Sequence, residues 1–113
     1  MKTREIIKKL QLKVLTGQET LDTEVTGGYT SDLLSDVIAN SKEGNLWITL
    51  QIHQNIVAVA KLKDLAGIII INDRQPDKDT LEKAAAENIA VMISKEMAFE
   101  VSGKLYELIG SQD

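Results

Sequence analysis

Apolar and polar residues change their spacing along the chain, and the pattern predicts alternating strands and helices from residue 24 onward. Leu46 to Leu50 is a β-rich apolar run, and Ile68 to Ile71 is continuously apolar, as expected of strands buried on both faces. Ala90 to Ile93 predicts a further buried strand. Between these runs the apolar residues recur every three or four positions, which is typical of amphipathic helices.

Four helices are predicted in this region: one at about 32–42, one at 55–63, one capped by Asp77 or Asp79, and a last one after Ser94 as cap. The segment 55–63 is ambiguous, since it carries β-branched residues at three positions. Parallel strands need a crossover connection, which favours the helix. The expected core-facing positions of these helices are Leu33, Leu34, Val37, Ile38, Leu81, Ala84, Ala85, Met97, Val101, Leu105 and Leu108.

The N-terminal part predicts a helix capped by Thr3, with Ile6, Ile7 and Leu10 facing inward. Alternating apolar residues in 12–15 predict a short strand that ends at Gly17, then a turn over 18–20 and a second strand approaching residue 26. The whole pattern predicts a single α/β domain over 1–113. Its architecture would be a three-layer α/β/α sandwich with a mainly parallel sheet.

The segment from Glu24 to Leu34 is interpreted as a strand, a tight turn at Gly27-Gly28 and the start of a helix. Ser31 or Thr30 can cap this helix, and Asp32 falls in its first turn, where a carboxylate suits the helix dipole. The two glycines either form only a tight turn or allow backbone N–H groups to hold an anion. The spacing matches neither the dinucleotide fingerprint nor the phosphate-binding loop of nucleotide hydrolases.

Several separated motifs resemble the DRTGG domain family, in order and in spacing. The matching runs are Thr26-Gly27-Gly28-Tyr29 with Ser31-Asp32-Leu33-Leu34, Leu46-Trp47-Ile48-Thr49, His53 with Asn55 to Ala60, and Ala66 to Ile70 with Pro76-Asp77. The resemblance covers about Glu5 to Leu108. It departs from the family where Glu24 and Val25 stand in place of the namesake Asp and Arg.

The resemblance implies a fold related to the N-terminal domain of HPr kinase/phosphorylase. Domains of this family are accessory modules of CBS-domain pyrophosphatases or phosphate acetyltransferases, or small stand-alone proteins, some encoded near hydrogenase genes. In HPr kinase the catalytic phosphate loop belongs to a separate C-terminal domain. The resemblance therefore implies a non-catalytic regulatory role.

Composition excludes several classes of partner and site. The net charge of −4 and the pI near 5.0 argue against binding to nucleic acid or an anionic membrane, because both need clustered cations. The absence of cysteine excludes disulfides and thiolate metal sites. No apolar run is long enough to span a bilayer. We expect a cytoplasmic protein without cofactor or metal.

Ligands of open parallel sheets bind beyond the carboxyl ends of the strands, which makes four loops the candidate site: 27–32, 51–55, 72–74 and 94–96. His53 is the only histidine and serves either a structural role in its loop or ligand binding. Trp47 is either a packing residue or a stacking platform, and Arg74 belongs to a solvated turn or contacts a phosphate or carboxylate. The predicted ligand-binding residues are Thr26, Gly27, Gly28, Ser31, Asp32, His53, Asn55 and Arg74.

The leading hypothesis is a regulatory or ligand-sensing module that binds a small anionic ligand or a partner at this edge. The alternative is a module for protein interaction or homodimerisation without a small-molecule ligand. The apolar helix from Met97 to Ile109 supports a homodimer, and Gly103 inside it indicates close helix packing. An enzyme is the weakest reading, since the sequence shows no nucleophile–base pair.

Overall fold

The structure is a computed structural model, and it describes residues 1–110. Five strands and five α-helices follow one another, with a short 3₁₀ turn at Gln18–Thr20 after the first strand. The helices are α1 (Thr3–Leu10), α2 (Leu34–Asn40), α3 (Asn55–Leu62), α4 (Lys78–Ala86) and α5 (Ala98–Gly110). The strands are β1 (Lys13–Thr16), β2 (Gly27–Thr30), β3 (Asn45–Thr49), β4 (Gly67–Ile70) and β5 (Val91–Ile93).

The strands form one sheet in the order β1-β5-β4-β3-β2. Strands β2, β3, β4 and β5 are parallel, and β1 pairs with β5 in the antiparallel direction. Helices connect the parallel strands, as a crossover between parallel neighbours requires. The predicted mainly parallel sheet and the helical assignment of 55–63 are both confirmed.

Helices cover both faces of the sheet, which confirms the three-layer sandwich. Helices α1 and α5 bury Ile6 and Leu105 against one face. Helices α2, α3 and α4 pack on the other face, where Val37 and Ile56 join a second core around the fully buried Trp47. Strands β3, β4 and β5 are buried along their whole length, so their continuous apolar runs fill both cores.

The double glycine is not a turn, which corrects the prediction for this segment. Gly27 and Gly28 open β2 and pair with β3, and the glycines with positive φ are Gly17 and Gly44 instead. A Cβ on Gly28 would lie 2.6 Å from Leu105 Cδ2. Gly28 therefore lacks a side chain because α5 packs directly over β2.

Helix α2 begins at Leu34, later than predicted, because the polar residues before it bond elsewhere. The Ser31 hydroxyl accepts a hydrogen bond from Leu33 N–H at 3.1 Å, so it stabilises a turn and not the helix. Asp32 lies before the first helical turn. Val37 is buried as predicted, whereas Leu33 and Ile38 are exposed, so the apolar stripe of α2 is narrower than the sequence suggested.

Other deviations concern the ends of elements. Thr3 is a buried first residue of α1 and not its cap. The segment before residue 27 contributes only an isolated bridge between Lys2 and Glu24, where a second strand was predicted. Helix α5 begins at Ala98, and the Ser94 hydroxyl accepts from Glu96 N–H within the preceding loop, so it does not cap the helix.

The buried side chains of α4 and α5 also differ in part from those predicted from the sequence. In α4, Ala84 is buried as predicted, Ala85 is exposed, and Thr80 is buried in its place. In α5, Val101 and Leu105 are buried, whereas Met97 precedes the helix and is 55% exposed.

We expect Gly28→Ala to lower the free energy of unfolding by about 1–3 kcal/mol, because the new methyl group overpacks against the buried Leu105. The matched control is Gly103→Ala, where a Cβ meets nothing within 4 Å. That change should raise stability by about 0.5–1 kcal/mol through helix propensity. Urea unfolding of the two variants measures both effects. Equal stability of Gly28→Ala and the wild-type protein would contradict this account of the glycine.

Candidate functional site

The loops that follow the parallel strands meet at one edge of the sheet, named here the carboxyl edge (residues 31–33, 50–54, 71–77 and 94–97). Asp32 joins the first two loops. Its carboxylate accepts hydrogen bonds from the Thr49 hydroxyl at 2.8 Å and from Leu50 N–H at 2.7 Å. The Gln51 side-chain amide donates to the Asp32 carbonyl at 2.9 Å. Asp32 therefore holds the end of β2 against the end of β3.

The loop after β4 bonds to the loops on both sides of it. The Arg74 guanidinium donates to the Leu50 carbonyl. On the other side, Asn72 N–H donates to the Glu96 carbonyl at 2.9 Å and Asp73 N–H to the Ser94 carbonyl at 2.8 Å. Asn72 and Asp73 both have positive φ, so this loop is a defined tight turn. The four loops form one continuous hydrogen-bonded rim.

His53 and Asn55 lie at the surface of this rim, at the start of α3. The His53 Nδ1 atom accepts a hydrogen bond from Asn55 N–H at 3.2 Å. The ring thus satisfies one of the free N–H groups at the helix start, as an N-cap side chain does. His53 has a structural contact that leaves its Nε2 atom at the surface.

Trp47 packs inside the protein. Its side chain is fully buried, and its Nε1–H donates to the Ser31 carbonyl at 2.8 Å. A buried ring offers no face to a ligand. The packing interpretation of Trp47 is therefore confirmed.

The eight predicted ligand-binding residues do not line a single edge, which corrects their predicted grouping. Ser31, Asp32, His53 and Arg74 lie at the carboxyl edge, and Asn55 follows it as the first residue of α3. Thr26 and Gly27 lie at the opposite end of β2, and the Thr26 hydroxyl donates to the Glu43 carbonyl at 2.8 Å. Gly28 lies inside the strand, under Leu105. The reason is that β2 begins at residue 27, whereas the sequence suggested that a strand ended there.

A cleft of about 400 Å³ is lined by residues of β2 and α5 beside their contact, and we name it the β2–α5 cleft. Thr30 and Ser102 join the strand to the helix across it, with their hydroxyls 2.7 Å apart. Its lining residues are Thr26, Gly27, Gly28, Thr30, Ile48, Ser102, Leu105, Tyr106, Ile109 and Gly110. Sequence reasoning missed the cleft because its two walls are distant in the chain, with 72 positions between Thr30 and Ser102.

Helix α5 also exposes large apolar side chains beside this cleft. Phe99 is 86% exposed and Tyr106 is 80% exposed, and Met97 lies just before the helix. A shallow depression between them is lined by Thr30, Ala98, Phe99, Ser102, Gly103 and Tyr106. We call the surface of Met97, Phe99 and Tyr106 the α5 aromatic face. Tyr106 belongs to both this face and the cleft.

A further polar cluster lies between β2 and α2, where no sequence pattern indicated a site. The Tyr29 hydroxyl donates to the Asp36 carboxylate at 2.8 Å, and the Asn40 side-chain amide donates to the same oxygen at 2.9 Å. The hydrogen bond from Tyr29 lowers the pKa of Asp36, with smaller contributions from Ser31 and Asn40. The same bond raises the pKa of Tyr29. The cluster ties α2 to the edge strand.

Within residues 1–110, no three His, Asp or Glu side chains come together in a way that could hold a metal ion. None of the helices in the same range has the length and apolar character needed to cross a bilayer.

Comparison with known proteins identifies the fold. No family model matches the chain, and no curated protein sequence matches it. Among solved structures, the chain is similar to the CBS and DRTGG domains of the regulatory region of Clostridium perfringens pyrophosphatase, crystallised with the activator diadenosine tetraphosphate. The TM-score is 0.70 at 17% identity, and the match covers 88% of this chain and 43% of that chain. The chain therefore has a fold like that of a CBS and DRTGG regulatory region, and it spans less than half the length of that protein chain.

Proposed function

We propose that this chain is a non-catalytic regulatory module that senses a small anionic ligand, or docks a partner segment, at the carboxyl edge. The observation that carries the proposal is the placement of Arg74 on the rim where four loops are bonded together. Arg74 is exposed, and its bond to the Leu50 carbonyl uses one of the five N–H groups of a guanidinium. The other donors have no partner among residues 1–110, so they are free to bind a phosphate or carboxylate.

The structural neighbour supports a regulatory role. It is part of a regulatory region, and it was crystallised with a nucleotide activator. That activator is a polyphosphate and therefore strongly anionic. An anionic ligand at the carboxyl edge of this chain is consistent with both observations.

The contacts of the polar side chains at this edge support a role without catalysis. A general base acts on a nucleophile or substrate group that lies within its hydrogen-bond reach. The Asp32 carboxylate is held by Thr49 and Leu50, and the His53 Nδ1 atom is held by Asn55 N–H. Both groups orient loops, and neither contacts a hydroxyl that is placed as a nucleophile at the surface.

Screening phosphorylated metabolites by thermal shift should reveal a ligand that raises the unfolding midpoint, since a ligand at 100 times its Kd adds about 2.7 kcal/mol to the folded state. Arg74→Gln should weaken that binding about tenfold or more through loss of charge-assisted hydrogen bonds. The matched control is Arg4→Gln, which changes the same charge on α1, where Arg4 pairs with Asp22. An equal loss of ligand affinity in both variants would show a nonspecific charge effect and contradict the assignment of Arg74 to the site.

Two substitutions separate the structural role of His53 from ligand binding. His53→Asn should keep the stability of the protein, because an asparagine side chain can accept the same hydrogen bond from the N–H two residues on, whereas His53→Ala should lose about 1 kcal/mol. If His53 also contacts the ligand, both variants bind it more weakly in calorimetric titrations. Unchanged affinity in His53→Asn would remove His53 from the site and leave it only its structural bond to Asn55 N–H.

The α5 aromatic face favours homodimerisation as a second candidate function. A buried aromatic side chain contributes about 150–250 Å² of contact area. Phe99 and Tyr106 from two protomers, with the surrounding residues, would approach the area of roughly 1,200 Å² that marks the lower end of stable interfaces. Exposed aromatic residues at this density are typical of interaction surfaces.

We expect a dimer in light scattering coupled to size exclusion at about 100 μM, a concentration at which a micromolar complex is mostly assembled. Phe99→Glu should shift the chain to a monomer, because it buries an unpaired carboxylate in the interface. The control is Leu62→Glu, which places the same charge at a residue 68% exposed on α3, on the opposite face of the sheet. A wild-type monomer at this concentration would exclude the dimer.

A further inference from the structure

We propose that the β2–α5 cleft is a ligand site separate from the carboxyl edge, and that it takes an uncharged, flat ring compound of nucleobase or nucleoside size. The proposal does not depend on the function proposed for the carboxyl edge. It rests on the volume of the cleft, the chemistry of its lining and the free edge of β2.

The volume and the lining limit the class of ligand. A volume of about 400 Å³ lies in the range of pockets that bind small molecules. The described residues that line it include no Asp, Glu, Lys or Arg. A charged group in the cleft would lose hydration without gaining a counter-charge. A neutral ligand loses less hydration free energy on entering the cleft, so the lining favours an uncharged compound over an anion.

The edge of β2 supplies hydrogen bonds for such a compound. Strand β2 is the last strand in the sheet. Just before it, Thr26 N–H donates to the carbonyl of Gly44, the residue that precedes β3, so the backbone groups of Thr26 face β3. Backbone groups of a strand alternate between its two sides, so Gly28 and Thr30 also face β3 while Gly27 and Tyr29 face outward. The Gly27 N–H and carbonyl therefore present a donor and an acceptor at the cleft. This pair matches the donor–acceptor edge of a nucleobase.

Tyr106 supplies a surface on which a flat ring can stack. Its side chain lines the cleft, is 80% exposed, and has no hydrogen-bond partner among residues 1–110. Ile48, Leu105 and Ile109 give the cleft apolar contacts. The Thr30 and Ser102 hydroxyls share one hydrogen bond, which leaves the proton of the accepting hydroxyl available to a ligand. A base with an attached ribose can use this hydroxyl pair.

An extended peptide added to the edge of β2 fits the observations less well. Strand addition depends on a run of outward-facing backbone groups. Strand β2 has four residues, so only Gly27 and Tyr29 face outward. The resulting ladder would be very short, whereas a small ring needs only the one donor–acceptor pair of Gly27.

Titration of the ¹⁵N-labelled chain with adenosine, and separately with adenine, tests the proposal. We expect saturable shifts of the amide signals of Gly27, Gly28 and Tyr106. Tyr106→Leu should weaken binding at least about fivefold, the lower end of what stacking on an aromatic side chain contributes. Tyr106→Phe keeps the ring and should stay close to the wild-type affinity. The matched control is Phe99→Leu, which removes an aromatic ring from the same helix at a position that does not line the cleft.

Three outcomes would overturn the proposal. The first is the absence of saturable shifts with either compound, and the second is an equal loss of affinity in Tyr106→Leu and Phe99→Leu. The third is a shift of the β2 amides that an extended tetrapeptide produces and neither adenine nor adenosine does. Thermal midpoints of the variants show whether each one is folded. Arg74→Gln separates this site from the carboxyl edge, because it should leave adenosine binding unchanged. Failure of one site is therefore distinguishable from failure of the other.

Discussion

The packing of α5 across β2 is the contact on which both the β2–α5 cleft and the α5 aromatic face depend. Leu105 occupies the space above Gly28 that a side chain would otherwise fill, and it is almost completely buried there. This close approach brings Ser102 within hydrogen-bond distance of Thr30. It also fixes the rotation of the helix, since burying Val101 and Leu105 turns Phe99 and Tyr106 outward. The cleft and the α5 aromatic face follow from one helix–strand contact.

The carboxyl edge has a different physical origin. Parallel strands end on the same side, so their following loops meet without any specific long-range contact. Hydrogen bonds then join neighbouring loops through Asp32, Arg74 and the backbone of Asn72. Arg74 remains an exposed cation on this hydrogen-bonded rim. Such a rim can hold an anion with little loss of loop freedom on binding.

The two surfaces differ in charge, and this difference matters in an acidic chain. With a net charge of −4, the protein repels anions except where a cation is placed locally. The carboxyl edge has Arg74, whereas the residues among 1–110 that line the β2–α5 cleft carry no charge. We therefore propose an anionic ligand for the first surface and a neutral one for the second. Tyr106 connects the cleft to the α5 aromatic face, so a ligand there would lie next to any partner subunit.

The sequence by itself determined the elements whose patterns are long or strongly apolar. The buried runs of β3, β4 and β5, the stripe of α1 and the crossover helix α3 are all found where the pattern predicted them. These segments are recognisable because burial on one or both faces dictates their residues. Together they also fixed the parallel sheet, and through it the edge at which Asp32, His53 and Arg74 lie.

Only the tertiary structure decided the role of the double glycine. The local sequence Gly27-Gly28 is compatible with a turn as well as with a strand, because glycine adopts either backbone conformation. Pairing with β3 and the approach of Leu105, from a helix far along the chain, selected the strand. The same long-range packing moved Thr26 and Gly27 away from the carboxyl edge and created the cleft. Such contacts between distant segments depend on shape and burial in three dimensions, which local residue patterns do not encode.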